Sequence, residues 1–324
     1  MSMALLVRSF REARWLLLGS LVTIFGFCMI RAWIVGRVEM SRFQDIVEIL
    51  RPEVERYSAV DVAQLFTYPG RVGVTFNEPL VVLLMVTWAI ARGSDSVSGP
   101  LGRGTLEMLL SQPISRFQLL FTKSLVTVVG CALIATAAWL GTHTGVHTTK
   151  IKQERPPVSI KLPVLNMRIE VPFTEVKEAP ERVPLADFVD TSLFIPAAIN
   201  LGCLGVFFAG LTTWMSSWDR YRWRTIGIVT GFLIVQMIVR VVSLAVDSAH
   251  WLKYFTIFTL YEPEVLTSYG VRYPTEVWTF YFADNKGMTV LGGFSLVSGL
   301  LLGGAGTFAL GHWIFCRRDL PAPV

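Results

Sequence analysis

Residues 93–116 read GSDSVSGPLGRGTLEMLLSQPISR. On either side lies an apolar run of membrane-spanning character. The stretch packs glycine, serine, proline, arginine and glutamate into a polar hinge, in a chain otherwise poor in charge. A hinge of that composition between two spans implies a surface gripped by another protein on one side of a membrane.

The surrounding chain has 324 residues, 52% of them hydrophobic and 16% charged, with a mean hydropathy of +0.52. Soluble domains run at about 45–50% apolar and about 25% charged. The balance points to an all-α integral membrane protein with many spans. Six segments approach the ~20 residues needed to cross hydrocarbon: 15–36, 77–97, 116–141, 192–215, 225–246 and 289–315. The second reaches that length only by including Asn77, Glu78, Arg92 and Asp95. The whole reads as one domain, with an amphipathic N-terminal helix over 1–14 and sizeable loops at about 37–76, 142–190 and 247–288.

Charge sets an expected orientation. The N-terminus, the hinge, the 217–224 loop and the C-terminus carry 12 Lys and Arg against five acids; the rest of the chain carries 17 against 19. Lys and Arg in short loops mark the inner side, which predicts both termini in the cytoplasm and the three long loops outside. The same asymmetry explains the pI of about 9.1 without a nucleic-acid patch, for which clustered bases with aromatic stacking partners are missing. Cys28, Cys131 and Cys203 fall inside spans and Cys316 at the end of the last, so no disulfide framework is expected. The first apolar run is longer than a signal-peptide core and no A-x-A-like site follows, so it reads as a retained span.

Local chemistry gives the hinge a shape. Gly99, Pro100, Gly102 and Gly104 are expected to break the helix leaving the second span. Residues 105–110 then form one or two turns lying on the membrane surface, and Pro113 ends them. Ser115 and Gln118 make a capping box, and Ile114 with Leu119 a hydrophobic staple, so the third span starts at once.

The loops are less informative. Phe43, Ile46, Val47 and Leu50 recur at helical spacing before Pro52 and predict a short amphipathic helix. Pro156, Pro157, Pro163, Pro172, Pro180 and Pro184 limit 142–190 to irregular or edge-β structure. His143 and His147 have i,i+4 spacing, but their Thr and Gly neighbours argue against a helix and a third ligand is missing, so no metal site is expected. The 247–288 loop, rich in Tyr, Trp and Phe, is expected along the outer interface. Gly299 and Gly303 form a small-xxx-small step, suited to helix packing or a subunit interface.

GRGTLEMLLSQPISR resembles the G-T-L-E/D-L-L-L-S-x-P-I/V-S-R stretch of ABC-2-type transporter permease subunits. The basic amphipathic start, six spans, Tyr261-Glu262-Pro263 before the last span, and the closing F-C-R-R-D-L are similar to that family too. The resemblance implies the membrane subunit of an ATP-binding-cassette exporter in the cell membrane, paired with a second permease subunit and with ATP-binding subunits. It makes 93–123 the cytoplasmic coupling segment, with Gly104, Thr105, Leu106, Glu107, Leu110, Ser111, Pro113, Ser115 and Arg116 at the ATPase interface. Asp95 would take the place of an acidic residue many members carry upstream. The chain has no G-x-x-x-x-G-K-[ST] loop, so ATP and Mg would be held by the partner and no cofactor or catalytic site is expected here.

Two other readings compete. An intramembrane enzyme needs ionisable groups within spans; only Arg31 and Arg240 qualify, both near outer ends where they can snorkel, with Gln236 and Asp247 near Arg240. A non-transporting membrane scaffold is the other alternative. The apolar spans favour a lipid-like or amphipathic cargo if there is one.

Overall fold

The computed structural model describes residues 3–37, 67–111, 113–153, 159–162, 167–170, 181–274, 276–283 and 289–318. Its helices are α1 (Met3–Arg37), α2 (Tyr68–Gly73), α3 (Pro79–Ser94), α4 (Ser98–Gly102), α5 (Leu106–Leu110), α6 (Arg116–Thr148), α7 (Ile195–Trp218), α8 (Arg222–Ala245), α9 (Pro263–Arg272) and α10 (Gly293–Arg317). Among the described residues, six helical stretches are long and apolar enough to cross a membrane: Met3–Arg37, Tyr68–Ser94, Arg116–Thr148, Thr191–Trp218, Arg222–Ala245 and Gly293–Arg317.

The span at α7 is the centre of the bundle. It packs against α10, α3, α6 and α8, while α1 lies along α6. Its apolar window is 67% buried, against 17% for α8. Most of α8 is therefore left uncovered by the rest of the chain, with Ile234, Val235, Ile238 and Val241 exposed. Small residues bring the central helices together. A Cβ on Gly210 would lie 2.4 Å from Gly304 O, and one on Gly130 would lie 2.0 Å from the Trp88 ring. In lipid, such close backbone approach supplies packing where hydrophobic drive is weak.

Several boundaries depart from the sequence reading. The separate helix expected over 1–14 is the first part of one continuous helix, because residues 3–18 hold neither Gly nor Pro and are mostly good helix formers. The second span begins further back, at Tyr68, and is interrupted at Glu78 (φ −61°, ψ 133°). Pro79 forces that extended residue before it and then starts α3. The third span continues to Thr148, seven residues past its expected end, and so carries His143 and His147 on a helix after all. The hydroxyls of Thr136, Thr142, Thr144 and Thr148 are satisfied by carbonyls four residues back, and packing along α1 holds the Thr-rich stretch helical.

The described parts of the long loops include three short strand pairs. β1 (Lys150–Gln153) pairs antiparallel with β4 (Glu181–Pro184), β2 (Ser159–Leu162) with β3 (Met167–Glu170), and β5 (Tyr281–Ala283) with β6 (Thr289–Leu291). The β1–β4 and β2–β3 pairs match the edge-β expectation for 142–190. The amphipathic helix expected around Phe43–Leu50, and all the loop prolines named above except Pro184, lie outside the described residues. In the aromatic loop, Trp251, Tyr254 and Phe255 are exposed, whereas Tyr261 is buried and donates its hydroxyl to Phe76 O.

Candidate functional site

The hinge is built on serines. Helix α3 ends at Ser94, earlier than the glycines suggested; Gly99, Pro100 and Gly102 lie inside α4. The Ser94 and Ser96 hydroxyls donate back to Ala91 O and Gly93 O, offering the backbone a local alternative to another helical turn. Val97, at the N-cap of α4, has no side-chain cap of its own. Ser216, from the end of α7, supplies one: its Oγ accepts from Val97 N at 3.2 Å and Ser98 N at 2.9 Å. Ser94, Ser98 and Ser216 are fully buried. Gly104 alone among the described glycines has a positive φ, +69°, and turns the chain from α4 into α5.

Basic side chains clamp this end of the bundle. Lys123, on α6, is buried and donates to Asp95 O at 3.0 Å and Ser96 O at 3.1 Å. Arg222, on α8, reaches Ala91 O at the end of α3. Arg116 donates to Arg318 O at 2.6 Å, just past α10, and Arg318 donates to Trp218 O at 2.6 Å, the last residue of α7. Each cation thus meets carbonyls left without intrahelical partners, at the negative end of a helix dipole. Asp95 joins the network through its carboxylate, 3.0 Å from Arg103 and 3.5 Å from Arg222. It lies over Gly99, where a Cβ would fall 2.2 Å from its Oδ1.

An apolar underside anchors the short helix. Leu106 and Leu109 of α5 pack in one cluster with Leu5 of α1, Val97, Leu119 and Leu120 of α6, and Phe315 of α10. Both ends of the described chain therefore meet at the hinge. Each buried leucine contributes about 1.5–3 kcal/mol relative to exposure in water. The opposite face is open: Met108 is 71% exposed, and Gly104, Ser111, Pro113 and Ser115 are exposed beside it. The Ser115–Gln118 capping box forms, and Ile114 and Leu119 pack in the same cluster.

The nine residues singled out at the sequence level thus divide. Gly104, Ser111, Pro113 and Ser115 are on the open face; Leu106 and Leu110 belong to the apolar underside. Thr105 is half-buried and bonds Pro100 O, Glu107 lies on α5, and Arg116 turns inward onto the end of α10. Sequence reasoning missed Met108, Ser216 and the clamping roles of Lys123, Arg222 and Arg318. No local signal separates Ser216 from Ser217 beside it.

Other expected residues fall elsewhere. Arg31 does not snorkel; it pairs with Glu78 at 3.0 Å. Arg240 pairs with Glu262 at 3.3 Å and donates to Phe258 O at 2.7 Å, and Gln236 accepts from Ile257 N. A half-buried cation in a bundle gains more from a fixed acceptor than from reaching for water. Burial pushes the Glu262 carboxyl above its ordinary range, against the pull of Arg240. Asp247 lies at the start of a 3₁₀ turn beyond α8. His143 and His147 rings stand 4.4 Å apart, with His143 Nδ1 2.8 Å from Thr191 Oγ1. Among the described residues no three His, Cys, Asp or Glu side chains are grouped to hold a metal. Gly299 faces Leu260 and Gly303 faces Phe207, both within the chain.

Six apolar spans among the described residues, five of them around the largely buried α7, with a capped amphipathic turn between the second and third, define a multi-pass membrane protein. The chain belongs to the ABC-2 family transporter proteins, whose family model matches residues 7–320. It is accordingly a membrane permease of an ABC transporter, a class of subunit that is generally non-catalytic and works with an ATP-binding partner. A comparison with curated proteins finds no match.

Proposed function

We propose that this permease is the membrane subunit of an ATP-driven exporter, worked through the hinge by a separate ATPase subunit that holds ATP and Mg. The observation that carries this reading is the two-sided build of α5. Its apolar side is packed into a cluster shared by α1, α6 and α10, while Met108 and its neighbours stay open to a partner. A push on the open face is felt by three spans at once. Of the segment's Gly104, Thr105, Leu106, Glu107, Leu110, Ser111, Pro113, Ser115 and Arg116, the interface takes Gly104, Thr105, Glu107, Ser111, Pro113 and Ser115, with Met108 added, while Leu106, Leu110 and Arg116 anchor it to the bundle. Asp95 acts from behind, holding Arg103 and Arg222.

In this reading the hinge and both termini are cytoplasmic, as the positive-inside rule expects, and the protein lies in the cell membrane as one of two permease subunits. The cargo is lipid-like or amphipathic, in keeping with spans that offer few ionic groups. The test is co-purification from native membranes in mild detergent, followed by transport-coupled ATPase assays. Wild type brings down an ATP-binding subunit. Glu107→Lys assembles but hydrolyses ATP without transport. Normal transport by that variant, or no ATPase partner in the purified complex, refutes the proposal.

A further inference from the structure

At the end of the bundle opposite the hinge, four basic side chains surround a cavity of about 360 Å³ whose described wall contains no carboxylate. Arg37 comes from the end of α1, Lys150 and Lys152 from β1, and Arg182 from β4. Lys152 and Arg182 are direct register partners across the antiparallel pair. Like charges placed directly opposite destabilise a strand pair. Lys150, two residues before Lys152, shares its face of the strand. Among the described residues none of the four cations has a carboxylate partner, whereas Arg31, Arg103, Arg222 and Arg240 all do.

The walls are held in place. Arg37 rests on the Trp33 ring, 4.7 Å from its centroid, a cation–π contact that orients the guanidinium. The ends of α1 and α6 approach so closely that a Cβ on Gly36 would lie 2.3 Å from Thr149 Cγ2, and one on Gly145 would lie 2.7 Å from Ala32 Cβ. The spacing of Arg37 from Lys150 is therefore set by packed backbone. A fixed concentration of positive charge, maintained against its own repulsion and opening on a cavity of small-molecule size, is what an anion site requires. Guanidinium forks match phosphate oxygens in particular.

We propose that this cavity binds a phosphate-bearing anion, held by Arg37, Lys150, Lys152 and Arg182. Its position at the ends of two spans is near headgroup level, so the phosphate can come from an anionic phospholipid or from a soluble phosphate compound. The proposal is independent of the transport reading above.

The test uses the full chain in two kinds of nanodisc. In zwitterionic phosphatidylcholine discs, inorganic pyrophosphate is titrated and binding read by calorimetry. In discs containing phosphatidylglycerol, the protein is released into the gas phase and retained lipid is counted by native mass spectrometry. Wild type binds in at least one arm, and that arm names the source. Arg182→Glu turns the repelling cross-strand pair into an attracting one, so a purely structural role predicts equal or greater thermal stability and unchanged binding. The anion site predicts binding about tenfold weaker or worse, the loss of at least one charge-assisted contact, with stability maintained or raised. Arg37→Ala, which leaves the strand pair intact, gives the same loss should Arg182→Glu misfold. No binding in either arm, or binding equal in wild type and in the folded variants, overturns the proposal.

Discussion

Replacing Ser216 by Ala tests whether one hydroxyl at the end of α7 holds the hinge in shape. Val97 N and Ser98 N sit at the start of α4, where amides have no intrahelical acceptor; both donate to Ser216 Oγ. The site is fully buried, so water does not readily replace the lost acceptor. A lost cap costs about 0.5–2 kcal/mol, and each stranded buried N–H about 1–3 kcal/mol. These overlapping estimates describe the same two bonds, which places the cost of Ser216→Ala at about 2–4 kcal/mol. Expressed as local opening, that is amide exchange about 30- to 700-fold faster at Val97 and Ser98. The measurement is hydrogen–deuterium exchange in nanodiscs on a peptide covering 93–104. Ser217→Ala is the matched control: it is equally buried, but its hydroxyl bonds only Thr213 O within α7. Unchanged protection of the 93–104 peptide in Ser216→Ala, or an equal loss in Ser217→Ala, would refute the capping argument.

Two further substitutions probe the rest of the frame. Gly210→Ala places a methyl 2.4 Å from Gly304 O, a backbone atom that cannot swing away; overpacking of about 1–3 kcal/mol is expected as a lower thermal midpoint in detergent. Arg240→Ala removes the partner of a buried carboxylate. Burial already lifts the folded-state pKa of Glu262, and losing Arg240 lifts it further. A raised carboxylate pKa means the folded state holds the proton more tightly, so stability falls as pH rises above the ordinary carboxylate range. The deficit of Arg240→Ala against wild type should therefore grow with pH across that window; a deficit independent of pH shows that Glu262 is not the group responsible.

Six spans, the hinge and its capping box were legible because each has a strong local signature: long apolar runs, a proline, and a Ser-x-x-Gln pair. What stayed hidden depends on contacts between distant residues. Ser216 has nothing in its neighbourhood to separate it from any serine at the end of a span; its meaning lies 118 residues away, at Ser98. The glycines of 99–104 suggest where the second span ends, but α3 stops sooner, at Ser94, where Ser94 and Ser96 bond back to the chain. Arg31 and Arg240 looked free to snorkel because their acidic partners, Glu78 and Glu262, come from other parts of the chain. The low helix propensity of their neighbours argues His143 and His147 off the helix, and packing of the stretch against α1 overrides it.

The charge bias at the hinge end has a structural use beyond topology. Lys123, Arg222, Arg116 and Arg318 were counted together as one positive excess, yet each donates to carbonyls at the end of a helix or at the turn after it. The Lys123 contact with Ser96 O is buried, so water does not readily replace it there. The clamps also form a path: Arg116 ties the start of α6 to the end of α10, Arg318 ties α10 to α7, and Arg222 ties α8 to α3. The hinge is thus bonded into the ends of the central spans, while its apolar underside reaches α1. A displacement of α5 must strain this network before it can move any one helix alone, so motion started at the open face is expected to spread across the bundle. Neutralising Arg318 breaks the tie between α10 and α7 without touching the open face. Arg318→Gln should therefore keep a partner bound at the hinge while weakening what the spans do in response, whereas a change at exposed Met108 should weaken the binding first. If Arg318→Gln instead releases the partner, the clamps belong to the docking surface and the path argument fails.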